Sequence, residues 1–233
     1  MIIEVLDDPD AVADEAAAII ATDARIAVAA RGRFVMAVSG GRTPWLMLRA
    51  LADMEVPWEG VQVLQVDERV APAGDADRNL THLRESLLQR TPLRPEQIHA
   101  MPVESQDLEA AAASYAATLR QVAGSPAVLD LVHLGLGLDG HTASLVAGDP
   151  ALAITQAPVA LAGPYQGRRR MTLTYPVLNH ARRILWLVTG AEKAGMLVRL
   201  RDADRSIPAG RVRQDQALVL ADRPAAAQLP AGR

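Results

Sequence analysis

The chain has 233 residues, of which 50% are hydrophobic and 22% are charged, and this composition is sufficient for a sizeable buried core. The formal net charge of −3 and the lack of a sustained basic stripe argue against a nucleic-acid partner. The absence of cysteine excludes disulfides, thiolate nucleophiles and cysteine-bound zinc, and the acidic amino terminus resembles neither a signal peptide nor a membrane helix, so we expect a soluble, cytoplasmic protein with no membrane partner.

Short runs of β-branched residues alternate with longer alanine-rich segments, which is typical of βαβ units and a mostly parallel sheet. In chain order, the pattern predicts strands at residues 2–5, 34–38, 61–66, 129–134, 171–175, 184–188 and 217–220. It predicts helices at residues 10–31, 44–51, 79–89, 107–122 and 191–201, and a loosely held end from Pro224. Thr43 is the expected cap of the second helix, with Pro44 in its first position.

These elements predict one α/β domain over residues 1–233. We expect a three-layer, Rossmann-like architecture in which helices flank a mostly parallel sheet, with or without a small appended lobe.

Three of the predicted strands end in polar clusters. SGGRTP begins at Ser39, DERVAP begins at Asp67, and GLGLDGH ends at His141. Because the carboxyl ends of parallel strands lie on one edge of a sheet, we expect the three clusters to meet in a single crevice.

The first cluster predicts an anion site formed by Ser39, Gly40, Gly41, Arg42 and Thr43. Two glycines allow a tight turn, and the helix that follows directs free N–H groups and the positive end of its dipole at this loop. The alternative is that the glycines only make a strand-to-helix turn. The loop lacks the spacing and the lysine of a nucleotide P-loop, so ATP or GTP is not implied.

The second cluster, at Asp67 to Arg69, is less specific. An acid and a base at a strand end usually pair with each other or face solvent. If the strand ends converge, Arg69 is available to a phosphate or a developing oxyanion, and Asp67 can orient it or a neighbouring imidazole.

The third cluster contains the histidine best placed for chemistry. His141 follows Asp139 and Gly140 in a glycine-rich loop at a strand end, whereas His133 lies inside an apolar strand and is expected in the core. A surface position is the alternative for a lone loop histidine. Basic residues at 168–170 and Lys193 can complete an anion site, the alternative being a solvated basic turn.

Together these segments resemble the 6-phosphogluconolactonases, within the broader glucosamine-6-phosphate isomerase/6-phosphogluconolactonase superfamily. The motifs that carry the resemblance are collinear: SGGRTP (39–44), DERVAP (67–72), LGLGLDGHTASL (134–145), RMTLTYPVLNHARRILWLVTGAEK (170–193), IPAGRV (207–212) and LADRPAA (220–226). Two places depart from the family pattern. A Ser-Asn pair followed by an aromatic residue is common after DER, where this chain has DRNL (77–80), and the usually proline-rich segment before Arg170 is GPYQGRRR.

The resemblance implies hydrolysis of 6-phospho-D-glucono-1,5-lactone to 6-phosphogluconate, with a small sugar-phosphate lactone as ligand and no metal or organic cofactor. It implies that the substrate phosphate contacts the 39–43 loop, with Arg170 and Lys193 as cationic partners. His141 is then the general base that activates water and returns the proton to the ring oxygen. Asp139, Asp67 or both hold the imidazole, and Arg69 stabilises the oxyanion. The sequence assigns no oligomeric state.

Two other functions share the motif and the fold. Glucosamine-6-phosphate deaminases resemble the DGH core but carry an acidic residue shortly after it, whereas residues 142–146 here are TASLV, without a carboxylate. Since ring opening of an amino sugar needs this extra acid or base, its absence favours lactone hydrolysis. Sugar-phosphate sensor domains of bacterial regulators are the second alternative, and they need a DNA-binding segment that the first residues of this chain do not resemble.

Overall fold

The computed structural model describes residues 1–230, which build seven α-helices, several short 3₁₀- or π-helical turns and ten strands. The strands are β1 (Ile2–Leu6), β2 (Phe34–Val38), β3 (Val61–Gln65), β4 (Asp67–Arg69), β5 (Ile98–His99), β6 (Leu131–Gly135), β7 (Val159–Tyr165), β8 (Arg168–Leu173), β9 (Arg183–Val188) and β10 (Ala217–Asp222). The helices are α1 (Pro9–Arg31), α2 (Arg42–Ala52), α3 (Asn79–Leu83), α4 (Leu108–Ala123), α5 (Tyr175–Leu178), α6 (Ala194–Arg201) and α7 (Arg223–Ala226). These elements confirm the predicted α/β class.

Seven of the strands form one parallel sheet in the order β1-β10-β9-β6-β2-β3-β5. The chain proceeds outward from β2 through β3 to β5, and then from β6 through β9 to β10 on the other side. The neighbouring strands β2 and β6 therefore flank the point where the winding direction reverses. A crevice opens beyond the carboxyl ends of strands at such a point, and ligands bind there in open α/β sheets.

Helices cover both faces of this sheet. On one face, α1 and α2 bury an apolar stripe that includes Ile20 and Met47. On the other, α4 and α6 pack with the fully buried Trp186 of β9. Both ends of α1 are capped. The Asp8 side chain accepts a hydrogen bond from the N–H of Ala11, and Gly32 ends the helix with a φ of 72°.

The strands β4, β8 and β7 form a second, three-stranded antiparallel sheet, in the order β4-β8-β7. Strand β7 is absent from the sequence prediction because its VALAGPY segment contains a glycine and a proline, which interrupt the pattern of a strand. Strand β4 is the DER cluster itself, so these residues are part of a sheet and not a solvated turn.

The structure corrects two local predictions. Thr43 is not the cap of α2: the helix begins two residues earlier than predicted, and Gly41, with a φ of 138°, occupies the cap position. The chain after Pro224 is not loose throughout, because it begins in α7, capped by the Asp222 side chain. The predicted loose end also includes residues 231–233, which lie outside the described residues. No helix within residues 1–230 is long and apolar enough to cross a membrane.

Candidate active site

A cleft of about 680 Å³ opens at the carboxyl edge of the main sheet, beside the second sheet. All three polar clusters reach it, as the predicted convergence requires. The predicted site residues that line it are Ser39, Gly40, Gly41, Arg42, Thr43, Asp67, Arg69, His141, Arg170 and Lys193. The remaining one, Asp139, is hydrogen-bonded to His141.

The wall on the β2 side is the glycine loop that leads into α2. Close packing explains Gly40, because a Cβ there would lie 1.9 Å from the Asn79 side-chain oxygen. The backbone N–H of Ser39 donates to Nδ1 of the buried His133, at 3.2 Å, and the Thr43 hydroxyl is 2.8 Å from that of Thr189 after β9. The loop is thus fixed from two neighbouring strands, and the amino terminus of the 11-residue helix α2 is directed at the cleft.

His133 is a core residue, as predicted, and its contact with the loop requires the neutral imidazole. Complete burial lowers the pKa of His133 to about 3. The ring therefore stays uncharged at neutral pH, and its Nδ1 can accept the N–H of Ser39.

The opposite wall presents His141 on the loop after β6. Its Nδ1 lies 2.6 Å from one carboxylate oxygen of Asp139, and its backbone N–H donates to the same oxygen at 3.1 Å. Partial burial acts to raise the pKa of the Asp139 carboxyl, but the hydrogen bonds from His141 outweigh it and keep that pKa below its ordinary value. A carboxylate bonded to Nδ1 fixes the tautomer whose Nε2 is free to accept a proton.

Two positions of this loop require glycine. A Cβ on Gly137 would lie 2.0 Å from Nδ1 of His141, so only glycine allows the ring to pack there. Gly140 has a φ of 79°, which favours glycine, and a Cβ there would lie 2.6 Å from the Cβ of Ile207. Gly137 is therefore explained by the position of the ring, and Gly140 by its backbone conformation and the neighbouring Ile207.

Asp67 connects the two walls of the cleft. Its carboxylate, which is almost fully buried, accepts hydrogen bonds from the hydroxyls of Ser39, at 3.1 Å, and Ser144, at 2.7 Å, and from the Asn79 amide, at 3.3 Å. Within residues 1–230, the carboxylate of Asp67 has no hydrogen bond to His141. The carboxylate that is bonded to the imidazole is that of Asp139.

Two arginines from the second sheet lie side by side at the cleft. Arg69 of β4 and Arg170 of β8 are directly opposed in the antiparallel register. Burial and the neighbouring Arg69 charge lower the pKa of Arg170. Its guanidinium group still carries a positive charge, as arginine does in proteins. In the described part of the chain, neither Nε finds a hydrogen-bond acceptor. A buried and a half-buried cation on opposed positions of the sheet favour an anion near both.

Position 170 is the member of the 168–170 arginine run that reaches the cleft. Arg168 instead pairs with Asp75 and Asp77, at 3.2 and 3.0 Å, and Arg169 is exposed. On the far side of the cleft, Lys193 follows β9, and its burial lowers its pKa against the opposing effects of Glu192 and Asp139.

Several residues at or beside the cleft have no counterpart in the sequence prediction: Asn79, Ser144, Thr189 and Tyr165. Asn79 was noted only as part of a departure from the family pattern. The others act through contacts with residues far away in the chain, such as the 77 positions between Asp67 and Ser144. The short spacing of a local motif carries no signal of such pairs.

Comparison with known proteins gives matches over nearly the whole chain. The family model of glucosamine-6-phosphate isomerases/6-phosphogluconolactonase matches residues 7–220. The chain is 36% identical over 242 aligned residues to a 6-phosphogluconolactonase of Mycobacterium tuberculosis, with 98% of each chain covered. The crystal structure of a 6-phosphogluconolactonase from Thermotoga maritima has a TM-score of 0.85 and 26% identity, covering 95% of this chain and 98% of the other.

The fold alone does not distinguish the activities found in this family. A monomeric glucosamine-6-phosphate deaminase has a TM-score of 0.81 at 20% identity, covering 98% of this chain and 100% of the other. The distinction therefore depends on the residues in the cleft.

Proposed function

The chain belongs to the glucosamine-6-phosphate isomerase/6-phosphogluconolactonase family, and we propose that it hydrolyses 6-phospho-D-glucono-1,5-lactone to 6-phospho-D-gluconate. This is the lactone step of the oxidative pentose phosphate pathway, in the cytoplasm. The observation that carries the proposal is the 2.6 Å contact between Asp139 and Nδ1 of His141, which leaves Nε2 as a base at a cleft lined with cations.

His141 acts as the general base. Its Nε2 takes a proton from water while the water oxygen attacks C1 of the lactone, and the carbonyl oxygen becomes an oxyanion. When the tetrahedral intermediate collapses, the bond between C1 and the ring oxygen breaks, and the imidazolium gives its proton to that oxygen. Asp139 orients the ring and stabilises the imidazolium, as a carboxylate does in other histidine-based hydrolases.

The substrate phosphate binds the loop from Ser39 to Thr43. Support for this position comes from the α2 amino terminus, whose free N–H groups and dipole favour an anion. Arg170 and Lys193 supply positive charge from other parts of the cleft lining. Both have pKa values lowered by burial, so each gains from an anion that replaces lost solvation.

Arg69 stabilises the oxyanion, and Asp67 has a supporting role. Through Ser39 and Ser144, the Asp67 carboxylate connects the phosphate loop to the His141 loop, which sets the distance between binding and chemistry. Asp67 is also the first residue of β4, two positions before Arg69, so it contributes to the position of that cation.

The run after His141 favours a lactonase over a deaminase. Residues 142–146 are TASLV, and Ser144 is used to bond Asp67. A deaminase needs a further acid or base to open the sugar ring and to move a proton between carbons. Ester-like hydrolysis needs only the base, the oxyanion cation and the phosphate cradle.

One coupled assay distinguishes these functions. Glucose-6-phosphate dehydrogenase generates the lactone in place, and its loss is followed with and without the protein; a parallel reaction contains glucosamine-6-phosphate, with ammonia as the readout. We expect loss of lactone above the spontaneous rate and no ammonia. Release of ammonia would favour the deaminase, and binding of both sugar phosphates without turnover would favour a sensor.

A further inference from the structure

The tip of the β7–β8 hairpin lies beside the candidate base. Tyr165 pairs with Arg168 across a two-residue turn in which Gln166 and Gly167 have φ values of 53° and 78°, as in a type I′ turn. Arg168 bonds carboxylates of the loop after β4, at 3.0 and 3.2 Å. The turn and these ion pairs fix the hairpin tip, so Tyr165 has a defined position.

The hydroxyl of Tyr165 contacts the partner of the base. It donates to Oδ2 of Asp139 at 3.2 Å, while Oδ1 of the same carboxylate receives Nδ1 of His141. The phenol ring also packs against the imidazole, with centroids 5.1 Å apart and planes at 59°. Burial and the Asp139 charge raise the pKa of Tyr165, so the phenol stays protonated and able to donate.

The same residue also contacts the phosphate side of the cleft. The guanidinium carbon of Arg170 lies 5.1 Å from the centre of the Tyr165 ring, within the range of a cation–π interaction. Nη2 of Arg170 donates to the backbone carbonyl of Tyr165 at 3.3 Å. Tyr165 thus touches both the partner of the base and a cation of the anion site.

We propose that Tyr165 is a positioning residue, whose hydroxyl fixes the Asp139 carboxylate and thereby the imidazole of His141, and whose ring supports Arg170. The proposal rests on the proposed function for its kinetic consequences. The proposed positioning of Asp139 does not depend on that function. The side chain of Asp139 is 41% exposed, so without the Tyr165 hydroxyl its Oδ2 would turn towards water. A carboxylate that rotates in this way no longer selects one imidazole tautomer.

Two substitutions separate the parts of the side chain. Tyr165→Phe removes the hydroxyl and keeps the ring, so we expect kcat to fall about tenfold, the scale of a hydrogen bond to a charged group, with KM unchanged. Tyr165→Leu also removes the aromatic face, so KM should rise about three- to fivefold in addition. Tyr175→Phe is the matched control, because its hydroxyl bonds the Pro208 carbonyl and not the dyad, and we expect it to leave kcat unchanged.

A spectroscopic readout keeps this test independent of activity. The Nδ1 proton shared with Asp139 should give a downfield proton NMR signal, assigned by its loss in His141→Gln. We expect Tyr165→Phe to broaden or lose this signal while thermal denaturation shows a folded protein, and Tyr175→Phe to retain it. A retained signal in Tyr165→Phe overturns the proposal whether or not activity changes, as does an unchanged kcat in an active enzyme. A wild-type protein that shows the signal but hydrolyses no lactone would instead refute the proposed function.

Discussion

Gly137→Ala is the smallest change expected to disable the site. The added Cβ would lie 2.0 Å from Nδ1 of His141 and 2.3 Å from its Cε1, whereas real Cβ contacts essentially never fall below 3.0 Å. The imidazole must therefore withdraw by at least about 1 Å. A movement of that size disturbs the 2.6 Å hydrogen bond with Asp139 and moves the base relative to the substrate.

The expected consequence is a loss of rate without a loss of fold. A misplacement of about 1 Å can cost roughly a hundredfold in rate, equivalent to about 2.7 kcal/mol in the barrier. Gly137 does not have a positive φ, so alanine is allowed on the backbone there, and the free energy of unfolding should change by no more than about 1 kcal/mol. KM should change little, because the phosphate contacts lie on other walls.

Gly135→Ala is the matched control two residues earlier. A Cβ at Gly135 would meet no atom within 4 Å, and its φ is also not positive, so alanine is allowed on the backbone there while the imidazole is untouched. The coupled lactone assay gives kcat and KM, and thermal denaturation confirms folding. A Gly137→Ala enzyme with kcat within threefold of the Gly135→Ala enzyme would refute the account of how the loop positions His141.

Four further substitutions test other parts of the site. Asp139→Asn should lower kcat at least about a hundredfold with little effect on KM, because an amide no longer favours the Nδ1–H tautomer. If Asp139 only shapes the loop, steady-state kinetics on the lactone would give a nearly unchanged kcat. Arg170→Ala and Lys193→Ala should each raise KM about tenfold and change kcat less, and an unaltered KM in both would mean that the phosphate binds elsewhere. His133 has a folded pKa of about 3, below the ordinary histidine value of about 6.5, so the unfolded chain takes up a proton first on acidification. Stability should therefore fall by about 1.4 kcal/mol per pH unit between about pH 6.5 and 3. His133→Asn, which keeps an acceptor for Ser39 but does not titrate, should remove this slope in denaturant titrations, and a wild-type slope in the variant would assign the acid sensitivity to other groups.

The predictable part of the site is the part that the topology dictates. Parallel strands end on one edge, so the sequence alone predicts that the clusters at Ser39, Asp67 and His141 meet in one cleft. Most helix and strand positions could also be predicted to within a few residues. Burial of one face of an element produces a periodic pattern of hydrophobic residues in the local sequence.

The unpredicted part depends on contacts between distant segments. The Thr43 hydroxyl bonds a threonine 146 positions away, and the helix begins at Arg42 with Gly41 as its cap, whose φ only glycine readily adopts. The hydroxyl partner of Asp67 across the cleft is 77 positions along the chain. Tyr165 lies in β7, whose glycine and proline residues interrupt the sequence pattern of a strand. Each of these is decided by tertiary packing, on which a local pattern carries no information.

The most direct test of the account is the enzyme-dependent rate constant for loss of 6-phospho-D-glucono-1,5-lactone, measured for the wild-type protein and for His141→Ala at equal concentrations of folded protein. With His141 as the general base, the wild-type rate should rise in proportion to protein concentration, and the variant should be at least about a hundredfold slower. A wild-type rate equal to spontaneous hydrolysis would contradict the proposed function, and a variant with near-normal turnover would contradict the role of His141.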